Sequence, residues 1–105
     1  MTEKLDIRPI REWLPQLNNP LLIAGPCSLE SESQTLETAR LLAKDHRVFI
    51  FRGGLWKPRT RPGSFEGVGS AGLKWLKLVK EETGLPVGTE VANAQHTEET
   101  LKNNI

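Results

Sequence analysis

The 105-residue sequence contains one cysteine, one methionine, three phenylalanines and no tyrosine. A single thiol, Cys27, excludes an internal disulfide framework and fits a reducing cytoplasm, the compartment expected for this chain. Neither sign of charge is in excess. Fourteen Lys and Arg against thirteen Asp and Glu give a net charge of +1, so no global field points to nucleic acid or to a membrane surface. No apolar run approaches the roughly 20 residues of a membrane span. The opening residues MTEK are not followed by the apolar stretch of a secretory leader, so none is expected. Repeats and low-complexity tracts are also lacking. What remains is an ordinary globular composition, 37% hydrophobic and 26% charged, with material for one modest core.

The apolar residues alternate between two kinds of segment. LLIAG over 21–25 and VFIF over 48–51 are short continuous apolar runs, the pattern of strands buried on both faces. VGTEV over 87–91 is a weaker third strand. Between them, Leu36, Ala39 and Ala43, with Leu42 alongside, give helical spacing over 31–44, with Ser31 and Gln34 as a capping box. Leu73, Leu76 and Val79 define a second helix over 70–83, with Ser70 as its N-cap and Gly84 and Pro86 as its stop. A polar, poorly capped helix is expected over 95–103. Residues 1–20 read as an extension in which Trp13, Leu14 and Leu17 form a short helical turn ended by Asn18, Asn19 and Pro20. Residues 21–105 are then one β-α-β-α-β-α domain with parallel strands and right-handed crossovers. A doubly wound sheet and a β/α barrel both fit, and both place chemistry at the carboxyl ends of the strands.

Three groups stand at those ends: Cys27 after strand one, Arg52, Lys57, Arg59 and Arg61 after strand two, and Glu90 after strand three. A soft thiolate with a carboxylate suits part of a divalent metal site. The cations suit phosphate or carboxylate groups, and Pro58 biases Lys57 to an extended backbone. Each has a plainer reading. A lone cysteine is more often a small buried hydrophobe, loop cations are commonly just solvated, and Glu90 alone is an ordinary acid. His46 lies on the opposite rim. His96 lies near the active rim without a metal-like partner and stays unassigned. Gly67, Gly69 and Gly72 match the G-x-G-x-x-G of dinucleotide folds, but that motif must directly follow a strand and this one does not.

Three stretches resemble one family: AGPCS over 24–28, FRGGLWKPRTRPGSFEG over 51–67 and GLPVGTEVANA over 84–94. Their order and spacing are similar to those of the 3-deoxy-7-phosphoheptulonate (DAHP) synthases, in particular the short bacterial subfamily, some of whose members carry a fused chorismate mutase. The resemblance implies part of a (β/α)8 TIM barrel. It implies an aldol-type transferase that joins phosphoenolpyruvate to erythrose 4-phosphate in aromatic amino-acid biosynthesis by the shikimate pathway. It implies a divalent metal, Mn²⁺ foremost, with Fe²⁺, Co²⁺ or Zn²⁺ as alternatives, and Cys27 as one ligand. Arg52 and Lys57 would bind phosphoenolpyruvate, Lys57 also donating a proton. Pro58, Arg59 and Thr60 would hold the sugar phosphate, and Glu90 would orient a water. The related 3-deoxy-octulosonate 8-phosphate synthases, which use arabinose 5-phosphate, typically carry Ala-Asn-Arg-Ser after the lysine; Pro58, Arg59 and Thr60 favour erythrose. Gly54 and Gly88 stand where bulkier residues are expected, which predicts local looseness. A barrel needs about 250 residues, so the chain is expected to be truncated after its third βα unit. It is expected to be inactive alone, with homo-oligomers expected of the complete enzyme. The competing expectation is a non-catalytic phosphate-binding or assembly fragment.

Overall fold

The computed structural model describes residues 6–14, 21–57 and 61–105. A four-residue helix, α1 (Ile10–Trp13), is followed by β1 (Ile23–Ala24), α2 (Glu32–Ala43), β2 (Ile50–Arg52), α3 (Ala71–Thr83), β3 (Val87–Gly88) and α4 (Ala94–Lys102). The N-terminal helical turn lies earlier than expected, over Ile10–Trp13, with Leu14 just after its end. Leu17 and its stop at 18–20 lie outside the described residues.

The three strands pair in the order β1-β2-β3, all parallel. Ala24 aligns with Phe51 and Phe51 with Val87, so these share one face. Ile23 with Ile50, and Arg52 with Gly88, share the other. The first face carries the core. Phe51, fully buried, packs with Leu29, Leu55, Leu36, Ala39, Leu73, Leu76 and Val79, which seals α2 and α3 onto the sheet. The second face is open, with Ile23 49% exposed. The sequence pattern predicts strands buried on both faces. Only one is covered here, because no described element lies across the side that holds Ile23 and Arg52. The strands are also shorter than their apolar runs, since ladder pairing ends where the chain turns toward the rim.

Helix α2 starts as its sequence predicts. The Ser31 hydroxyl accepts from the Gln34 N–H at 3.1 Å. The reciprocal bond is displaced by one residue, because Gln34 Oε1 accepts from the Glu30 N–H at 2.8 Å rather than from Ser31. Helix α3 ends on Gly84 at φ 74°, a left-handed C-cap that suits glycine. Its start departs from expectation. Ser70 occupies the cap position without a capping hydrogen bond, because its hydroxyl donates instead to Glu99 of α4 at 2.6 Å. Helix α4 is better capped than its sequence suggests: Asn93 Oδ1 accepts from the His96 N–H at 2.9 Å. Arg40 of α2 and Glu82 of α3 form a two-pronged ion pair at 3.0 and 3.1 Å across the outer layer. No helix among the described residues is long and apolar enough to cross a membrane.

Candidate active site

The open face leads to a cluster at the carboxyl ends of the strands. β2 ends at Arg52, and the chain continues through Gly53 and Gly54 to Leu55. The buried Leu55 side chain anchors this segment to the core while Lys57 turns back over the sheet. β3 ends at Gly88. Glu90, two residues on, lies on the same side of the chain by the alternation of a strand. The result is a bridged triad. Glu90 Oε1 accepts from Lys57 Nζ at 2.6 Å, and its Oε2 accepts from Arg52 Nη2 at 3.1 Å. The Lys57 side chain is only 12% exposed. An ammonium so enclosed needs a counter-charge, and the carboxylate supplies one. Two cations on one carboxylate leave a net charge of about +1 at the centre, suited to an incoming anion.

Cys27 completes the group. Its thiol lies 3.4 Å from Lys57 Nζ and is exposed. The plainer reading of Cys27 as a buried hydrophobe is thereby excluded. Among the described residues no set of three His, Cys, Asp or Glu side chains is placed to hold a metal ion. Cys27 fits such an ion as one soft donor, and the set around it is open.

Four sequence-predicted residues are thus linked in one chain of contacts, Arg52 to Glu90, Glu90 to Lys57 and Lys57 to Cys27. Pro58, Arg59 and Thr60 lie outside the described residues. Arg61 is exposed. The loop that carries them closes at its base, where the Lys57 N–H donates to Glu66 O at 2.7 Å and the Gly69 N–H to Leu55 O at 2.9 Å. The glycines 67, 69 and 72 therefore belong to the base of this loop and the start of α3, not to a strand-to-helix phosphate turn.

The expectation about Gly54 is corrected. A Cβ there would stand 2.5 Å from Lys57 Nζ, 2.6 Å from Glu90 Oε1 and closer still to the Cys27 carbonyl oxygen. The glycine lets three chain segments close on one point, so it enforces order at the cluster. Gly88 differs: a Cβ would meet nothing within 4 Å, because it faces the open side. Sequence reasoning also missed Trp56 and His96. Their rings stack with centroids 4.0 Å apart and planes 8° from parallel. Neighbouring motif residues flag Trp56, but nothing in the spacing pairs it with a residue forty positions later.

Parallel strands backed by helices, with a thiol, two cations and a carboxylate at their carboxyl ends, define a βα-repeat protein. The profile of the DAHP synthetase I family matches residues 16–103. The chain belongs to that family. It is 45% identical over 69 residues to the phospho-2-dehydro-3-deoxyheptonate aldolase of Thermotoga maritima, covering 66% of this chain and 20% of that protein. It is 45% identical over 82 residues to the 2-dehydro-3-deoxyphosphooctonate aldolase of Vesicomyosocius okutanii, covering 71% of this chain and 30% of the relative. The crystal structure of the Thermotoga maritima DAHP synthase superposes with a TM-score of 0.70 at 37% identity, over 79% of this chain and 24% of that one. The three βα units are therefore part of a (β/α)8 barrel architecture, and the chain spans less than a third of the length of these relatives.

Proposed function

We propose that this chain provides the first segments of the active rim of an enzyme that condenses phosphoenolpyruvate with erythrose 4-phosphate, forming DAHP and phosphate. In this reading the 105 residues are inactive without the rest of a barrel, and the complete enzyme is a cytoplasmic homo-oligomer. The observation that carries the proposal is the convergence of Lys57 and Arg52 on Glu90 at the strand ends.

Arg52 and Lys57 would take the phosphate and carboxylate of phosphoenolpyruvate, exchanging part of their bonding to Glu90 for bonds to substrate oxygens. The enol carbon attacks the sugar aldehyde, and Lys57 Nζ holds the proton that the new hydroxyl requires. Water adds at the adjacent carbon. Glu90, released from one cation, orients that water and accepts its proton. The hemiketal then loses phosphate by C–O cleavage, with Arg52 stabilising the departing charge. Cys27 would ligate a divalent ion, Mn²⁺ in preference to Fe²⁺, Co²⁺ or Zn²⁺, which supplies Lewis-acid polarisation of the aldehyde oxygen when bound. Pro58, Arg59 and Thr60 would hold the sugar phosphate, and their identity favours the four-carbon sugar.

A second reading, condensation with arabinose 5-phosphate, is favoured by the similarity to the 2-dehydro-3-deoxyphosphooctonate aldolase. Phosphate release separates the two. The chain alone, and the chain completed by the remaining βα units of the Thermotoga relative, are each mixed with phosphoenolpyruvate, Mn²⁺ and one sugar phosphate. Turnover by the completed barrel with erythrose 4-phosphate alone is the expected result. Preference for arabinose 5-phosphate would transfer the proposal to the second reading, and turnover by neither would leave a non-catalytic phosphate-binding fragment.

A further inference from the structure

We infer that His96 is a positioning residue for the Lys57–Glu90 pair, acting through Trp56. The inference rests on the role proposed above for Lys57 and adds a residue outside the charged cluster. Its basis is the way one imidazole is held by both segments that carry the pair. Trp56 immediately precedes Lys57 in the chain, and its indole lies face to face with His96 at 4.0 Å. Ala92 follows Glu90 by two residues, and its N–H donates to His96 Nδ1 at 3.1 Å. The His96 backbone is itself fixed by the α4 cap, since its N–H donates to Asn93 Oδ1. The ring thus spans two loops: its face sets the height of the Trp56–Lys57 segment, and its edge holds the Glu90–Ala92 segment.

The other supports of Lys57 do not fix that separation. Its N–H to Glu66 O bond closes the loop upon itself and says nothing about β3. Leu55 ties the segment to the helical layer behind the sheet. The Gly53 N–H to Gly88 O and Arg52 to Glu90 bonds tie the strand ends together further back, whereas the Lys57–Glu90 contact and the Trp56–His96 stack join Trp56 and Lys57 themselves to the segment after β3. Trp56 also packs against the edge of the core, whereas His96 lies outside it, so a change at His96 alters the stack and the 2.6 Å pairing distance without removing a core side chain.

Two substitutions separate the face of the ring from its edge. His96→Asn retains an acceptor for the Ala92 N–H but removes the stacking surface; His96→Phe retains the surface and loses the acceptor. Each chain is treated with limiting acetic anhydride, and peptide mass spectrometry reads the acetylation rate at Lys57, with the exposed Lys74 and Lys77 of α3 as internal references. In His96→Asn the Lys57 rate is expected to rise roughly two- to tenfold against the references, the range that the coupling of one aromatic pair allows. In His96→Phe it is expected to return toward the wild-type rate. An unchanged Lys57 rate in His96→Asn would overturn the inference. So would an equal rise at all three lysines, which signals general loosening, or a failure of His96→Phe to restore the rate. A parallel arm adds phosphoenolpyruvate to the wild-type chain completed by the remaining βα units of the Thermotoga relative. Lack of protection of Lys57 there would count against the proposed function, while the variant series still reads the geometry.

Discussion

Replacing Gly54 by alanine tests whether the charged cluster depends on the absence of one methyl group. The added carbon would lie 2.5 Å from Lys57 Nζ and 2.6 Å from Glu90 Oε1, and closer to the Cys27 carbonyl oxygen. Lys57 Nζ is the end of a flexible side chain and can swing away, at the cost of its bond to Glu90. The Cys27 carbonyl is backbone, and relieving that clash means moving the loop after β1. Overpacking of this kind typically costs about 1–3 kcal/mol. With a urea m-value near the lower limit for small proteins, about 1 kcal/mol/M, the midpoint should fall by about 1 M or more. Gly88→Ala is the internal control. Its Cβ meets nothing within 4 Å and its backbone is outside the left-handed region. The same glycine-to-alanine change should there be neutral, or stabilising by about 0.4–1 kcal/mol through the unfolded chain. The assay is urea unfolding of the two variants followed by tryptophan fluorescence, with the Lys57 acetylation rate as a local readout. Equal midpoints for the two variants, with Lys57 no more reactive in Gly54→Ala, would refute the claim that close approach at Gly54 assembles the site.

Glu90→Gln keeps the shape of the bridge but leaves Lys57 and Arg52 without a counter-charge. Stability should fall by about 1.5–3 kcal/mol, the range for hydrogen bonds to charged groups, reduced toward the lower value because Glu90 is 40% exposed. The same variant should bind inorganic phosphate more tightly than wild type, and isothermal titration showing weaker binding would contradict the view that Glu90 competes with the anion. Asp45 gives a pH signature far from the site. The Arg47 guanidinium and then its backbone N–H hold the Asp45 carboxyl well below the usual carboxylate range. The unfolded chain then binds more protons through that range, so the pair's contribution is fully present above an ordinary carboxyl value of about 4 and is lost as pH falls toward the folded-state value. The stability difference between wild type and Asp45→Asn should therefore be flat near neutrality and close under acid. A gap that widens on acidification would reverse the sign.

Local chemistry was legible in the sequence, and contacts at long range were not. Ser31 with Gln34, and Gly84 before Pro86, marked the helix ends because caps involve residues three or four apart. The parallel order of the strands followed from the alternation of apolar runs and helical spacing, as did the rim on which Cys27, Arg52, Lys57 and Glu90 meet. Ser70 stands at the N-cap as its position suggested, but that its hydroxyl bonds Glu99 instead of the helix end was not legible, because that partner is 29 residues away. For the same reason the sequence placed Glu90 at the rim without showing that it bridges two cations, at separations of 33 and 38 residues. Gly54 looked like a loss of rigidity because a glycine's neighbours in space are invisible in the chain. The two-sided burial expected of the strands is a property of a closed barrel, and these residues cover only one side.

The two hydrogen bonds at the neck of the loop after β2 have an evolutionary consequence. The Lys57 N–H to Glu66 O and Gly69 N–H to Leu55 O bonds pin the two ends of the excursion to each other where it leaves the sheet. Substitutions or length changes inside that excursion need not propagate into the packing of Leu55, Leu73 and Phe51. Such a fold can vary a loop while its frame and the charged centre stay constant. The chain is 45% identical both to an aldolase named for a seven-carbon acid and to one named for an eight-carbon acid, a likeness compatible with such separation of loop from frame.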